Sequence, residues 1–264
     1  MKITPNRSEK IIDAHVVESP IERLQAAGLL TLDGVQEDGT SLGVRIYRNF
    51  RESLLSGVLS VGDMLNTRPL AKALGISTMP VREAMSRLVA DGGLEALANR
   101  AFRVPEITLS QFRELYLMRL RLETLAAEHA AARADAGSLV EISTAFEQMN
   151  DARSATLFAY LAAHRRFHFT VYRTAEMPVL FNAIETLWLR MGPVMNLAAE
   201  LADVDEETAA HRALVSALHG GDPNASSRAI DEDLRLAGDR TMRFLIATER
   251  GAIETEAPIT RVSR

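Results

Sequence analysis

Two histidines, His164 and His168, stand four residues apart in the segment YLAAHRRFHFTVY. On a helix this spacing places both imidazoles side by side on one face, an arrangement that can bind a metal ion. The sequence contains no cysteine, so any metal would have to be held by His, Asp or Glu side chains. A structural histidine pair in a helical core has the same spacing, and the pattern alone leaves both interpretations open.

The region that carries this pair is predicted to be helical throughout. Thr108 and Gln111 form a capping-box pattern at its start, and helical periodicity continues to about Ile246. Breaks are predicted near residues 136–137, Pro178, residues 203–206 and residues 220–223. We therefore expect about six helices and no strand after Pro105.

The preceding region has a different organisation. A helix over 45–56 is followed by Gly57, a short helix over 67–74 is ended by Gly75, and Ser77 begins a third helix. Two short β-like pieces, Leu94–Leu97 and Phe102–Val104, then flank a turn at Asn99 and Arg100. Three helices followed by a hairpin are the order of a winged helix-turn-helix, and the fold class expected for the chain is mainly α.

The third of these helices has an outer face that suits DNA. Its apolar stripe is predicted to pack inward, while its N-terminal residues can reach base edges in a major groove. Arg82 is the candidate for guanine. The other candidate DNA-binding residues are Arg45, Arg48, Ser77, Thr78, Arg87, Asn99 and Arg100. A solvated face with no partner is the alternative.

Charge is distributed unevenly along the 264 residues, whose net charge is −5. Residues 41–104 carry nine Lys and Arg against five Asp and Glu, a net charge of +4, and the remainder carries −9. A cationic segment joined to an anionic one favours a nucleic-acid module attached to a different domain. With no long apolar run, no secretory signal and no cysteine, we expect a cytoplasmic protein without a membrane segment.

Residues 65–104 resemble the DNA-binding domain of the GntR family of bacterial repressors. The matching residues are Leu70-Ala71, Leu74-Gly75, Ser77, Pro80-Val81-Arg82-Glu83-Ala84 and Leu88. Three positions depart from the family pattern: Thr78 replaces an arginine, Thr67 a glutamate and Ala101 the glycine of the wing. The resemblance implies binding to operator DNA but does not specify the operator sequence.

Residues 108–248 are similar to the all-helical effector domain of the FadR-like branch of that family, the FCD type. The matching markers are Arg119 with Leu122-Glu123, His164 with Phe167-His168, His211 with Gly221-Asp222, and Asp233-Leu234. The resemblance implies a metal quartet of one Asp and three His. Here His164 stands at the Asp position and Asp233 at the final His position, so the set of ligands is kept but exchanged in sequence.

The resemblance implies a specific mode of action. A divalent ion held by the quartet, with zinc expected first and nickel, manganese or iron as alternatives, would bind a small organic-acid effector. Arg119 could be a second anchor for that acid, or could pair with Glu123. We expect a homodimer that acts as a repressor, with activation as the alternative.

The expected organisation is an arm (1–38), a winged helix-turn-helix domain (39–105), an all-helical effector-binding and dimerisation domain (106–248) and a tail (249–264). Two other functions are weighed against this one. A metal-dependent hydrolase or isomerase could use the same His and Asp residues, but no general base is evident. An interaction protein with a degenerate winged helix would explain the departures at Thr78 and Ala101.

Overall fold

In the computed structural model, which describes residues 19–31, 41–98, 101–199 and 204–249, the first helix is α1 (Pro20–Ala26). Ser19 and Glu22 form its capping box, and Leu24 is fully buried. Arg23 forms an ion pair with Asp63 and donates a hydrogen bond to the Val58 carbonyl at 3.0 Å. Residues 19–31, which belong to the expected arm, are thus fixed by tertiary contacts, because a helix this short is not stable alone.

The winged helix consists of three helices and a three-stranded sheet. Its elements are α2 (Leu42–Leu55), β1 (Met64–Asn66), α3 (Thr67–Leu74), α4 (Thr78–Ala90), β2 (Glu95–Ala96) and β3 (Ala101–Arg103). The sheet is antiparallel in the order β1-β3-β2, with Leu65 and Ala96 both opposite Phe102. β1 is not predicted from the sequence, because a three-residue strand has too little periodicity to be recognised.

A short turn separates α3 from α4. Gly75 ends α3 in a left-handed conformation, at φ 68°, which glycine adopts without a steric penalty. Ser77 occupies the N-cap of α4, as expected, but its side chain makes no capping hydrogen bond. Val81, Met85 and Leu88 of α4 are buried with the apolar face of α2, so the opposite face of α4 is free to point outward.

The rest of the described chain is a helical bundle. Its helices are α5 (Leu109–Arg133), α6 (Ala136–Ala152), α7 (Leu157–Thr174), α8 (Pro178–Ala199), α9 (Val204–His219) and α10 (Pro223–Glu249). The capping box of Thr108 and Gln111 is confirmed. Six helices were expected after Pro105, and six are found among the described residues. The predicted tail beyond Glu249 lies outside the described part of the chain.

The two regions pack directly on each other through α2 and α8. Asn196 of α8 approaches the Leu54 carbonyl at 3.5 Å, and the Cα of Gly93 faces the Leu189 side chain with no room for a Cβ. Two ion pairs, Arg51 with Glu185 and Arg165 with Glu52, join α2 to α8 and α7. Among the described helices, none is both long and apolar enough to cross a membrane.

Candidate metal centre and DNA-contacting surface

Four side chains from three helices converge at the centre of the bundle: His164 and His168 from α7, His211 from α9 and Asp233 from α10. The Nε2 atom of His168 lies 3.2 Å from the Nε2 atoms of both His164 and His211. Asp233 Oδ1 lies 2.9 Å from His211 Nε2, and Asp233 Oδ2 lies 3.6 Å from His168 Nε2. The residues exchanged in sequence, His164 and Asp233, thus belong to one cluster.

The dimensions of this cluster fit a metal ion. One ligand atom from each residue lies within 4.8 Å of all the others. Zinc binds histidine nitrogen at about 2.0–2.1 Å, so neighbouring ligands around a tetrahedral ion lie about 3.4 Å apart. Four of the six separations between ligand atoms, at 2.9–3.6 Å, are close to that spacing. A shared cation would satisfy three ring nitrogens that otherwise face one another.

Burial keeps His164 and His168 in the form that binds metal. Desolvation lowers the pKa of His168 to about 3 and holds the pKa of His164 well below its ordinary value. Both imidazoles are therefore neutral near pH 7, and a metal ion need not displace a proton from a charged ring.

Tyr172 determines which ring nitrogen of His168 carries the proton. Burial first, and then the neighbouring Glu123 carboxylate, raise the pKa of Tyr172 well above its ordinary value, so the phenol keeps its proton. Tyr172 donates that proton to Glu123 at 2.6 Å, and its oxygen lies 3.3 Å from His168 Nδ1. The phenol oxygen can then only accept from Nδ1–H, which leaves the Nε2 lone pair directed at the cluster.

Glu123 also holds Arg119, which is 2% exposed. The guanidinium pairs with both carboxylate oxygens, Nη2 to Oε2 at 3.2 Å, and stacks over the Trp188 ring at 4.6 Å. The Trp188 indole donates to Glu123 Oε1 at 3.1 Å. Arg119 and Glu123 therefore form the ion pair that the sequence offered as one possibility. The role of Arg119 as an effector anchor stays a prediction.

A cavity of about 60 Å³ opens beside the cluster. Its wall includes His164 and Asp233 of the cluster, Arg119, and Leu55 at the C-terminal end of α2. A ligand in this space would thus lie next to the metal ligands and in contact with the winged helix.

The same cavity is lined by Tyr160, Glu207 and Arg240, which the sequence analysis did not single out. Arg240 pairs with Glu207, and the Tyr160 hydroxyl donates to Glu207 at 3.4 Å. Arg240 follows Asp233 by seven residues, two helical turns, which is the only sequence signal that places both on one face of α10.

The outer face of α4, which is predicted to contact DNA, is exposed. Its exposed residues are Thr78, Met79, Arg82, Glu83, Ser86 and Arg87. Met79 is 62% exposed at the start of the helix. Arg87 stacks over the Tyr47 ring at 4.2 Å, which fixes the guanidinium on the surface.

Of the remaining DNA-binding candidates, three lie within the described residues. Ser77 and Arg48 are exposed and Arg45 is half-buried. Asn99 and Arg100 lie outside the described residues, between β2 and β3. The DNA contacts of all eight candidates stay predictions.

A winged helix followed by a helical bundle is the arrangement of a DNA-binding domain joined to a second, all-helical domain, and two known families match these two parts of the chain. Residues 42–104 match the bacterial regulatory proteins of the gntR family, and residues 114–236 match the FCD domain. The chain belongs to the GntR family of transcriptional regulators and carries an FCD domain. The resemblance stated from sequence is confirmed, and the hydrolase or isomerase alternative is wrong for this family of regulators.

Individual relatives extend the comparison over most of the chain. The HTH-type transcriptional regulator McbR of Escherichia coli (strain K12) is 31% identical over 73% of this chain and 89% of that protein. A probable D-xylose utilization operon transcriptional repressor of Paenarthrobacter nicotinovorans is 30% identical over 67% of this chain and 78% of that protein. The solved structure of E. coli McbR/YncC matches with a TM-score of 0.69 at 28% identity. The match covers 81% of this chain and 99% of that chain.

Proposed function

We propose that this regulator is a repressor whose binding to operator DNA is controlled by a divalent ion and a small carboxylate effector bound in the FCD bundle. The observation that carries the proposal is the convergence of three histidines and one aspartate beside a cavity. Repression is supported by the relative from P. nicotinovorans, which is named a probable repressor. Operator binding implies that the protein acts in the cytoplasm, where the chromosome lies.

His164, His168, His211 and Asp233 would hold the ion, with zinc as the first expectation because the set is rich in imidazole. When bound, the ion supplies a buried positive charge that attracts a carboxylate. Tyr172 would keep the His168 ring oriented, and Leu55 and Trp188 form an apolar part of the cavity wall. Nickel, manganese or iron would suit the same ligands.

Two copies of the winged helix, one from each protomer of a homodimer, would read a pseudo-palindromic operator. An effector can release the protein from DNA only if it binds more tightly to a conformation that DNA does not favour. Leu55 of α2 lines the cavity, so a bound effector would contact α2. Through that contact it would change the position of the winged helix.

The experiment is a gel-shift titration with the DNA upstream of the protein's own gene, at a stated salt concentration. Zinc-loaded protein should bind this DNA, and one class within a panel of small carboxylic acids should release it. The same acids should have no effect on protein stripped of metal with a chelator. Release that is equally strong with and without metal would contradict the proposal.

A further inference from the structure

Met79 lies at the centre of the outer face of α4. The buried stripe of this helix is formed by Val81, Ala84, Met85 and Leu88. Each residue of a helix turns by about 100°, so Met79 lies about 180° from Leu88 around the helix axis and points directly away from the core. Its side chain is 62% exposed. The helix therefore presents an apolar group at the middle of the surface that is predicted to meet DNA.

Two other side chains of this face are held at its edge by α2. Glu83 Oε2 stands 3.1 Å from the position that a Cβ would occupy at Gly43, and Arg87 stacks over the Tyr47 ring at 4.2 Å. Gly43 and Tyr47 both belong to α2 (Leu42–Leu55). The exposure of Met79 shows that α2 leaves the centre of the face open to another molecule.

A methionine at this place can contact only one kind of group on DNA with advantage. The contacts that hold a protein on phosphates are hydrogen bonds and charge pairs, and a thioether side chain offers neither a donor nor a charge. The major groove, in contrast, carries one apolar group, the C5-methyl group of thymine. An unbranched, polarisable methionine adapts its shape to such a group and removes it from water.

We propose that Met79 determines part of the sequence specificity of this regulator by contacting the C5-methyl group of a thymine in each half-site of its operator. The inference rests on the proposed function, in which the winged helix reads operator DNA, and deepens it by naming the base chemistry that α4 recognises. Arg82 follows Met79 by three residues and lies beside it on the helix surface. Met79 thus adds a preference for thymine near the base that Arg82 is predicted to read.

The test replaces thymine by deoxyuridine, which pairs in the same way and lacks only the C5-methyl group. A binding site is located by footprinting the DNA upstream of the gene, or by selection from random DNA if that region holds none. Each thymine of one half-site is then replaced together with its symmetry mate, and fluorescence anisotropy gives the Kd of the full-length protein. At one position the replacement should weaken binding of wild type about fourfold for each half-site, which corresponds to one methyl group removed from water.

Met79→Ala should lose this sensitivity. We expect it to bind thymine and deoxyuridine DNA equally at that position, with the affinity that wild type has for the deoxyuridine DNA. The slope of log Kd against log salt concentration should stay unchanged, because no phosphate contact is removed. The matched control is Val140→Ala, which truncates an apolar side chain of similar exposure, 65%, on α6. This control should keep both the affinity and the sensitivity of wild type.

The outcomes separate this inference from the proposed function. Wild type that is insensitive to deoxyuridine at every thymine, or Met79→Ala that keeps the full sensitivity, overturns the role of Met79 and leaves the proposed function in place. If the full-length protein binds neither its upstream DNA nor any selected sequence, the proposed function fails and this inference fails with it.

Discussion

At the scale of single residues, Tyr172 contacts His168 of the candidate metal site without belonging to that site, and we expect it to orient the ring. Replacing it by Phe removes the acceptor of the His168 Nδ1–H and frees that ring to adopt the other tautomer. We expect Tyr172→Phe to weaken zinc binding about 10–100-fold, measured by competition with a chromogenic chelator. Tyr160→Phe, in the same cavity but bonded to Glu207, is the control and should keep its affinity. Equal affinity in both variants would show that Tyr172 has no orienting role.

Arg82 is the residue on which reading of the operator is predicted to depend, because it is exposed on the N-terminal half of α4. Arg82→Ala should lose about 1–3 kcal/mol of specific binding while non-specific binding changes little. The measurement compares operator and scrambled DNA in fluorescence anisotropy. Arg121→Ala, on an exposed face of α5, is the control. An operator affinity like that of wild type would rule out a base contact by Arg82.

Individual site residues were predictable only where spacing or family pattern revealed them. The four-residue spacing identified His164 and His168, and the resemblance supplied His211 and Asp233. Tyr172 also lies four residues from His168. From sequence alone, a tyrosine on a buried helix face is interpreted as a core residue, because its partner Glu123 lies on another helix, α5. Arg240 and Glu207 meet only because α9 and α10 pack together, so no local pattern could pair them.

At the scale of elements, α5 and α10 pack so closely that one position tolerates only glycine. A Cβ at Gly238 would overlap the ring of Tyr116 on α5. Gly238→Ala should therefore lower the free energy of unfolding by about 1–3 kcal/mol, in spite of the better helix propensity of alanine. Urea unfolding gives the value. Gly137→Ala, where a Cβ meets only ordinary contacts, should be neutral or stabilising; a stabilised Gly238→Ala would contradict this packing.

Most elements followed from periodicity and caps, and the exceptions share a cause. The helices of the bundle and the helix-turn-helix carry long apolar stripes or clear stop signals such as Gly75. In contrast, β1 and α1 are held by what they contact: β1 pairs with β3, and α1 is fixed by Leu24 and by the Arg23–Asp63 pair. With three residues, β1 leaves little trace in the sequence, whereas α1 carries a capping box but is too short to be stable alone.

At the scale of the whole molecule, the cavity and the winged helix share α2, so stabilising one should stabilise the other. Zinc binding should slow amide hydrogen exchange in α2 (Leu42–Leu55) as well as in α7, because both regions unfold together through the contacts of Gly93 and Asn196. Exchange followed by mass spectrometry, with and without zinc, measures this. Slower exchange confined to residues 109–249 would show that the two regions are uncoupled.

Four side chains of the bundle are proposed to hold one divalent ion, and the metal content of the purified protein tests this proposal. Elemental analysis is made on wild type, His168→Ala and His219→Ala after dialysis against zinc, with circular dichroism as the check on folding. His219 is the control because it is exposed and its ring contacts Ser143, away from the cluster. We predict one ion per chain in wild type and His219→Ala and none in His168→Ala. Full occupancy in His168→Ala, or no bound metal in wild type, would contradict a metal site formed by these four residues.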